Sequence, residues 1–477
     1  MLDGIMGLVY LNCDMKNLSS IVLAAGLGKR MKSSVPKVLH RVCGKPMLFY
    51  PLKALKERNV RNTAVVIGHG ADEVKDAFKG ERFRFCLQKK QLGTGHAVWC
   101  AIKELKDIKG DILILSGDVP LITKDTVLAL LKIHGSPEKP ALSFISVILA
   151  NPSGYGRVIR DDGGRVLKIV EDKDLKPGER DIREVNSGIY IGDSEFLRKN
   201  IMKLGKENRQ KEYYLPDLIA VADRQGKKVK ALTHVYPDEV MGINDRMELA
   251  RANAVMRKRI LEGLMRGGVT FIDPRAAYVD YGVKVGMDTT VYPNVHLLGD
   301  TSVGKDCVIE EGSRVKDSEI GGGSVIKSFT IVESSRIGKK VTLGPFARLR
   351  PGNTIGDFSR IGNFVEVKNT SIGKNTKANH LSYIGDSVIG KDVNIGAGTI
   401  TCNYDGFKKH KTIIKDGVFI GSDTQLIAPV TVGKGAYIGS GSTITKDVPP
   451  GSLALSRAEQ RIVKGWVKKR RLKERHR

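Results

Sequence analysis

Aliphatic residues stand at every sixth position in two long runs of this chain. One run is Ile337, Leu343, Leu349, Ile355, Ile361 and Val367, and the other is Ile414, Ile420, Leu426, Val432, Ile438 and Ile444. An amphipathic helix repeats every 3.6 residues or so and a half-buried strand every second residue, so a beat of six fits neither. It fits a chain that turns a corner after each short strand and sends one aliphatic side chain inward per face. Three such faces close one triangular coil of a parallel β-helix. The same beat begins earlier, at Val279, Val285, Val291, Leu297, Val303, Ile309 and Val315, enough for about nine coils in all. Between the two long runs the beat reads as interrupted at Asn379-His380-Leu381-Ser382-Tyr383 and again at Thr401-Cys402-Asn403-Tyr404-Asp405-Gly406. Polar and aromatic residues at such interruptions predict a site.

The first half has a different pattern. A short aliphatic segment from Ile21 to Ala25 predicts a buried strand, which enters the glycine-rich turn Gly26-Leu27-Gly28-Lys29-Arg30. A turn of this kind exposes backbone N–H groups that can cradle phosphate. It matches neither the dinucleotide fingerprint nor a Walker A loop. Lys37 adds a second cation. Strands are expected over 63–68, 83–87 and 111–115 and a helix over 72–79, the alternation of an α/β sheet. A second glycine-rich turn, Gly93-Thr94-Gly95, opens another helix. Asp118 closes the strand over 111–115, at the carboxyl edge where open α/β sheets place ligands. Its carboxylate is a hard oxygen donor suited to Mg²⁺. Residues 243–266 read as a long arginine-rich helix stopped by Gly267-Gly268.

Bulk composition narrows these readings. The 477 residues are too many for one core. Aromatics at 6% and 53 glycines suit a small-stepped solenoid. A net charge of +27 points to anionic partners. No nucleic-acid module is visible and the charge is widespread, so phosphorylated small molecules are expected, with neither nucleic acid nor membrane as partner. The basic tail around Trp466 reads as a solvated end or as one lying near an anionic ligand. Six scattered cysteines without a CxxC pair predict reduced thiols in a cytoplasmic protein and no zinc. The opening residues read as a flexible extension, with translation able to start at Met15.

Among nine histidines, His380 falls at the interruption, in a run with no structural need for an imidazole. Amide formation from a thioester requires a base for the amine proton, and histidine titrates in the right range. Glu366, one coil earlier, is expected to orient it and stabilise the imidazolium.

The order Leu23-Ala24-Ala25-Gly26 with Arg30-Met31, Pro36-Lys37-Val38-Leu39, Gln88 to Ala97, Gly117-Asp118-Val119-Pro120, Gly154-Tyr155-Gly156-Arg157, Glu171, Asn186 and Asn244 resembles sugar-phosphate nucleotidyltransferases. Further on, 344–352, 362–368, 380–383 and 394–406 resemble the bifunctional enzymes that make UDP-N-acetylglucosamine. The likeness runs from Ser19 to Arg457. It implies an α/β nucleotidyltransferase with a Rossmann-like mixed sheet, followed by a left-handed parallel β-helix of hexapeptide repeats. The expected division is a 1–18 extension, a 19–242 uridylyltransferase domain, a 243–267 helical linker, a 268–457 acetyltransferase domain and a 458–477 basic tail.

The resemblance also implies roles. Leu23, Ala24, Ala25 and Gly26 hold the nucleotide, with Ser116 and Gly117 leading into Asp118. Arg30 and Lys37 stabilise the triphosphate and the departing pyrophosphate. Gln88, Gly93 and Thr94 read the base. Asp118 and Asn244 hold Mg²⁺, and Gly156, Glu171 and Asn186 bind the sugar. In the second half Arg350 and Lys368 hold the sugar phosphate, His380 is the base, and Tyr383 and Asn394 contact the sugar. Ala397, Asn403, Tyr404, Ser422, Ser440 and Arg457 line the acetyl-CoA site. UTP and acetyl-CoA are the implied cosubstrates, and a homotrimer with acetyl-CoA between subunits is implied. Lys29, Ser116 and Ser440 depart from the family pattern without removing a proposed phosphate or metal group. Two other readings stay open: a nucleotidyltransferase of different specificity with another or no acyl activity, and a scaffold that keeps the fold without catalysis.

Overall fold

The computed structural model describes residues 18–60, 62–105 and 108–475. The N-terminal extension, apart from Leu18, lies outside them. The chain divides between Met256 and Arg257 into two compact units.

The first unit is built on a mixed sheet of seven strands in sequence: β1 (Leu18–Ala24), β2 (Asn62–Ile67), β3 (Arg84–Leu87), β4 (Asp111–Ser116), β5 (Leu142–Ile148), β6 (Glu184–Asp193) and β7 (Val229–His234). Their order across the sheet is β7-β5-β6-β4-β1-β2-β3. The β1, β2, β3 and β4 strands run parallel, while β6 is antiparallel to both β4 and β5. Ile21, Val22, Ala64, Val65, Ile112, Ile114 and Leu113 are fully buried, as central strands covered on both faces require. A hairpin of Arg157–Arg160 and Val166–Val170 leaves the sheet through the pairing of Val185 with Arg157.

The second unit is a prism of three parallel sheets with eleven, ten and nine strands. Every member of the two long six-residue runs is buried in one continuous core. The glycine after many of these aliphatic residues has a steric cause. A Cβ on Gly321 would stand 2.5 Å from the Gly338 carbonyl carbon, and one on Gly356 would stand 2.6 Å from the Lys374 nitrogen. Buried hydroxyls satisfy the interior of the corners: Ser324 Oγ donates to Gly338 O at 3.0 Å and Ser359 Oγ to Gly373 O at 2.9 Å.

The structure corrects the reading of an interruption at 379–383. The core column continues through Ile372, Ala378, Ile384, Ile389 and Ile395, all buried. The beat only slips, because some corners are one residue shorter. The true insertion lies between buried Thr401 and Ile414.

The helix Arg246–Arg266 crosses the boundary between the units. In its first half Ala252 and Met256 are buried and Asn253 Oδ1 accepts from Cys43 N at 2.9 Å. In its second half Leu261 is buried in the prism core, where Ile260 and Leu264 pack as well. The helix expected to connect the domains packs each of its halves into its own unit. No helix among the described residues is long and apolar enough to cross a membrane.

Candidate functional site

In the first unit a cleft of about 550 Å³ opens at the carboxyl ends of β1 and β4. Its walls include Leu23, Ala24, Ala25, Gly26, Arg30, Lys37, Gln88, Gly93, Thr94, Ser116, Asp118 and Asn244, a set scattered over more than two hundred positions of sequence. Gly28 turns the chain with φ +61°, and a Cβ there would press within 2.8 Å of Lys37 Cβ. That close approach brings Lys37 into the cleft. Its ammonium ion-pairs with Asp118 and donates to Asn244 Oδ1 at 2.9 Å. Asn244 is held from behind, its backbone N–H donating to Glu248 Oε2 at 2.5 Å and its Nδ2 to Gly242 O at 3.2 Å. Two oxygens thus converge on one positive charge. A Cβ on Gly242 would fall 3.2 Å from Asp118 Oδ1, so glycine leaves this carboxylate room.

At the other end Gly93 has φ +102° and enters the helix Thr94–Glu104. Thr94 Oγ1 accepts from Leu215 N at 3.0 Å. Gly93 and Thr94 at this helix N-terminus line the cleft, while the next N–H, that of Gly95, donates to Tyr213 O at 2.8 Å. Gln91, Lys173, Gln210 and Glu212 also line the cleft and were assigned no role from sequence. Gln91 had a signal, since it is the second glutamine of the Gln88-to-Ala97 motif.

Gly117 follows β4 and donates to Leu23 O at 2.8 Å. Gly156, Glu171 and Asn186 form a second group. Asn186 N donates to Gly156 O at 2.9 Å, and a Cβ on Gly156 would meet Glu171 Oε1 at 3.3 Å. Glu171 lines a neighbouring cavity of about 530 Å³ with Asp174, Tyr214 and Asp217, and is not among the walls of the first cleft. Burial, then the carboxylates of Asp217, Asp174, Asp172 and Glu212, pushes the Glu171 carboxyl up to about 7. Burial, then Asp174, raises Asp217 to about 6.

In the prism the expected residues stack. Asn363 pairs with His380 across adjacent coils. The column continues through Ala397, Ser422, Ser440 and Arg457. The hydrogen bonds that tie it are Gly398 N to Leu381 O at 2.9 Å, Asp423 N to Ala397 O at 2.7 Å, Gly441 N to Ser422 O at 2.8 Å and Arg457 Nη1 to Ser440 O at 2.7 Å. His380 therefore stands at the head of the residues expected to line the acetyl-CoA site.

His380 Nδ1 lies 3.1 Å from Asn363 Oδ1. The expected orienting role of Glu366 is corrected here: its carboxylate accepts from Arg350 Nη1 at 3.1 Å. The cause is register. Glu366 pairs with Tyr383, whereas Asn363 pairs with His380.

Beside Arg350 stands Lys368, and against Lys368 stands Lys409, which sequence reasoning missed. The Lys409 ammonium, followed by desolvation, lowers the Lys368 pKa, while Asp386 acts in the opposite sense. Lys409 belongs to the inserted loop. Asp405 shapes that loop, accepting from Phe407 N, Lys408 N and His410 Nε2 at 2.8, 2.7 and 2.6 Å. These bonds, the Lys408 N–H first, draw its pKa down to about 2. Asp386 accepts from Asn369 Nδ2 at 2.7 Å and Asn403 Nδ2 at 2.5 Å. Asn403 thereby reaches Tyr383 Oη at 3.5 Å. Tyr404 is 61% exposed on the same loop. Asn394 lies in the sheet that carries His380, paired with Lys377 and Phe419.

The neighbouring cations Arg350, Lys368 and Lys409 suit a phosphorylated substrate, and the first cleft suits a larger polyanion. Among the described residues no group of three or more histidine, cysteine, aspartate or glutamate side chains could hold a metal ion.

The family described as nucleotidyl transferase matches residues 19–235, and the bacterial transferase hexapeptide family, six repeats, matches 282–317 and 411–446. Curated relatives that bear the name bifunctional protein GlmU include the following three. The one from Pelobacter propionicus is 48% identical over 95% of this chain and 98% of its own length. The one from Geotalea uraniireducens is 47% identical over 96% and 100%. The one from Alkaliphilus metalliredigens is 47% identical over 94% and 98%.

Proposed function

The chain belongs to the family of the bifunctional protein GlmU, and on that premise we propose two consecutive reactions leading to UDP-N-acetylglucosamine. The prism transfers acetyl from acetyl-CoA to glucosamine 1-phosphate. The α/β unit then transfers uridylyl from UTP to N-acetylglucosamine 1-phosphate and releases pyrophosphate. The observation that carries this reading is that one chain holds both residue sets, the Lys37–Asp118–Asn244 cluster and the His380 column.

In acetyl transfer the sugar amine attacks the thioester carbonyl. His380 Nε2 takes the N–H proton as the C–N bond forms, the C–S bond breaks, and the CoA thiolate leaves and is protonated. Arg350 and Lys368 hold the sugar phosphate, joined by Lys409, while Tyr383 and Asn394 orient the sugar. Ala397, Asn403, Tyr404, Ser422, Ser440 and Arg457 receive acetyl-CoA. Glu366 contributes by fixing Arg350.

In uridylyl transfer a phosphate oxygen of the sugar attacks the α-phosphorus of UTP, and the bond to pyrophosphate breaks. The protein's task is positioning and charge neutralisation. Arg30 and Lys37 supply cations to the phosphates. Leu23 to Gly26 and the Ser116-Gly117 turn seat the nucleotide, and Gln88, Gly93 and Thr94 face its base. Gly156, Glu171 and Asn186 receive the sugar. The Asp118 and Asn244 oxygens, already gathered around one ammonium, fit Mg²⁺, which commonly takes one or two protein oxygens alongside substrate phosphates. When bound there, Mg²⁺ neutralises phosphate charge.

The uridylyl activity belongs to 19–242, the acetyl activity to 268–457, with 243–267 joining them and 458–477 as a basic tail. The chain acts as a homotrimer in the cytoplasm. An exposed ladder of Phe329, Phe346 and Phe364, with ring centroids 5.3 and 5.5 Å apart, supports association of the prisms. Five cysteines among the described residues that stand outside any disulfide support a reducing compartment.

The test offers purified protein glucosamine 1-phosphate with acetyl-CoA, and separately N-acetylglucosamine 1-phosphate with each NTP. Free thiol and pyrophosphate are followed. Thiol and pyrophosphate release are both expected, the latter preferring UTP. Equal rates with UTP and TTP overturn the uridylyl assignment, and absence of thiol release overturns the acetyl assignment.

A further inference from the structure

Gln88 is 3% exposed, and its amide nitrogen faces two acceptors. Nε2 lies 3.1 Å from Gly93 O and 3.0 Å from His96 Nδ1. A carbonyl oxygen only accepts, so the amide atom facing Gly93 must be the nitrogen. The same nitrogen faces His96 Nδ1, so that ring atom must be the acceptor. The imidazole is then the neutral Nε2–H tautomer. Its other nitrogen lies 3.8 Å from Cys100 Sγ, a soft acceptor for that N–H. Desolvation, then Lys206, lowers the His96 pKa and so favours the neutral ring, while burial raises that of Cys100 and so favours its thiol. The ring is clamped as well. Tyr213 stacks on it at 6.3 Å and 25°, and Trp99 tilts against it at 5.5 Å. Tyr213 is itself fixed, its carbonyl accepting from Gly95 N at 2.8 Å.

Both amide N–H groups of Gln88 are therefore spent on the protein. Its Oε1 makes no hydrogen bond among the described residues, and Gln88 lines the cleft that holds Asp118. We propose that His96 is a specificity-determining positioning residue: by locking the Gln88 amide it makes the cleft offer the nucleobase a lone acceptor. Such an acceptor selects a pyrimidine whose N3 carries hydrogen, as in uracil. Cytosine in the same register sets the N3 lone pair against it and leaves both unsatisfied. The inference rests on the reading of Gln88 as a base contact.

The experiment measures kcat and KM for UTP and CTP in pyrophosphate release by the full chain and by His96→Phe, His96→Asn and Gln88→Ala variants. His96→Phe removes the acceptor and frees one amide N–H. It is expected to lower the UTP-over-CTP ratio of kcat/KM by roughly tenfold. The change enters through the KM for UTP, with kcat nearly unchanged. His96→Asn keeps an acceptor near the Nδ1 position and restores the ratio. An unchanged ratio in His96→Phe, with an altered one in Gln88→Ala, overturns the role of His96 alone. An unchanged ratio in both overturns the base reading itself. Imidazole nitrogen shifts of His96 in the unsubstituted protein test the tautomer without any variant. An unprotonated Nδ1 supports the proposal, and a protonated Nδ1 overturns it.

Discussion

His380 Nδ1 lies 3.1 Å from Asn363 Oδ1, one coil away in the same sheet. An amide oxygen accepts, so Nδ1 carries the hydrogen and the Nε2 lone pair is free for a substrate proton. His380→Ala should lower acetyl transfer by roughly a hundredfold to ten-thousandfold. Asn363→Ala should lower kcat by about tenfold, with little change in the KM for acetyl-CoA, because the ring loses its preferred tautomer and orientation. Thiol release reads both variants, and uridylyl transfer should be unchanged in each.

Lys37, Asp118 and Asn244 form one charge cluster in the other unit. Asp118→Asn or Lys37→Met should cut pyrophosphate release at least a hundredfold, by order of magnitude for lost charge stabilisation. A chelator should abolish the same reaction and spare acetyl transfer. Acetyl transfer that falls in parallel would contradict the division of labour between the units.

Glu171 gives a pH dependence. Burial, reinforced by Asp217 and its neighbours, raises its carboxyl from 4.5 to about 7. A group whose folded pKa is raised contributes stability that is whole below the unfolded value and is lost as pH rises through the folded one. The window therefore runs from about pH 4.5 to about pH 7. In Glu171→Gln the urea transition of the α/β unit should lose less stability across that window, by roughly 1–3 kcal/mol. Identical pH profiles for variant and parent would remove Glu171 as the source.

A Cβ at Gly385 would fall 2.5 Å from Tyr383 Oη and 2.8 Å from Asn403 Nδ2. Gly385→Ala should thus displace the side chains expected to meet sugar and acetyl-CoA. The expected result is a raised KM for glucosamine 1-phosphate with the unfolding midpoint of the prism nearly retained. Leu349→Ala should do the reverse. It removes a fully buried side chain from the core, costs about 2–5 kcal/mol, and leaves the KM values in place while the prism is folded.

Much of this architecture was legible in the residues. The six-residue beat marked the prism, since only a corner every six residues puts Ile337, Leu343 and Leu349 in one core. Asp118 at the end of its strand and the turn before Arg30 marked the first cleft. The imidazole of His380 was identifiable as the unusual group in its run. The apparent interruption around it was not one, because a corner shortened by one residue looks like a break in a strict count of six.

By itself, the sequence determined the repeating core and the residue types at both sites, because burial and turn formation impose spacings that survive in one dimension. Only the tertiary structure decided which groups meet. Asn363 and not Glu366 faces His380, since pairing across coils obeys strand register and not nearness along the chain. Lys409 joins Lys368 because an inserted loop, closed by Asp405 and His410, carries it there. Gln88 is limited to accepting through Oε1 because Gly93 and His96 both claim its nitrogen. Each is a short-range directional contact, and such contacts depend on geometry to a fraction of an ångström, which the order of residues does not encode locally.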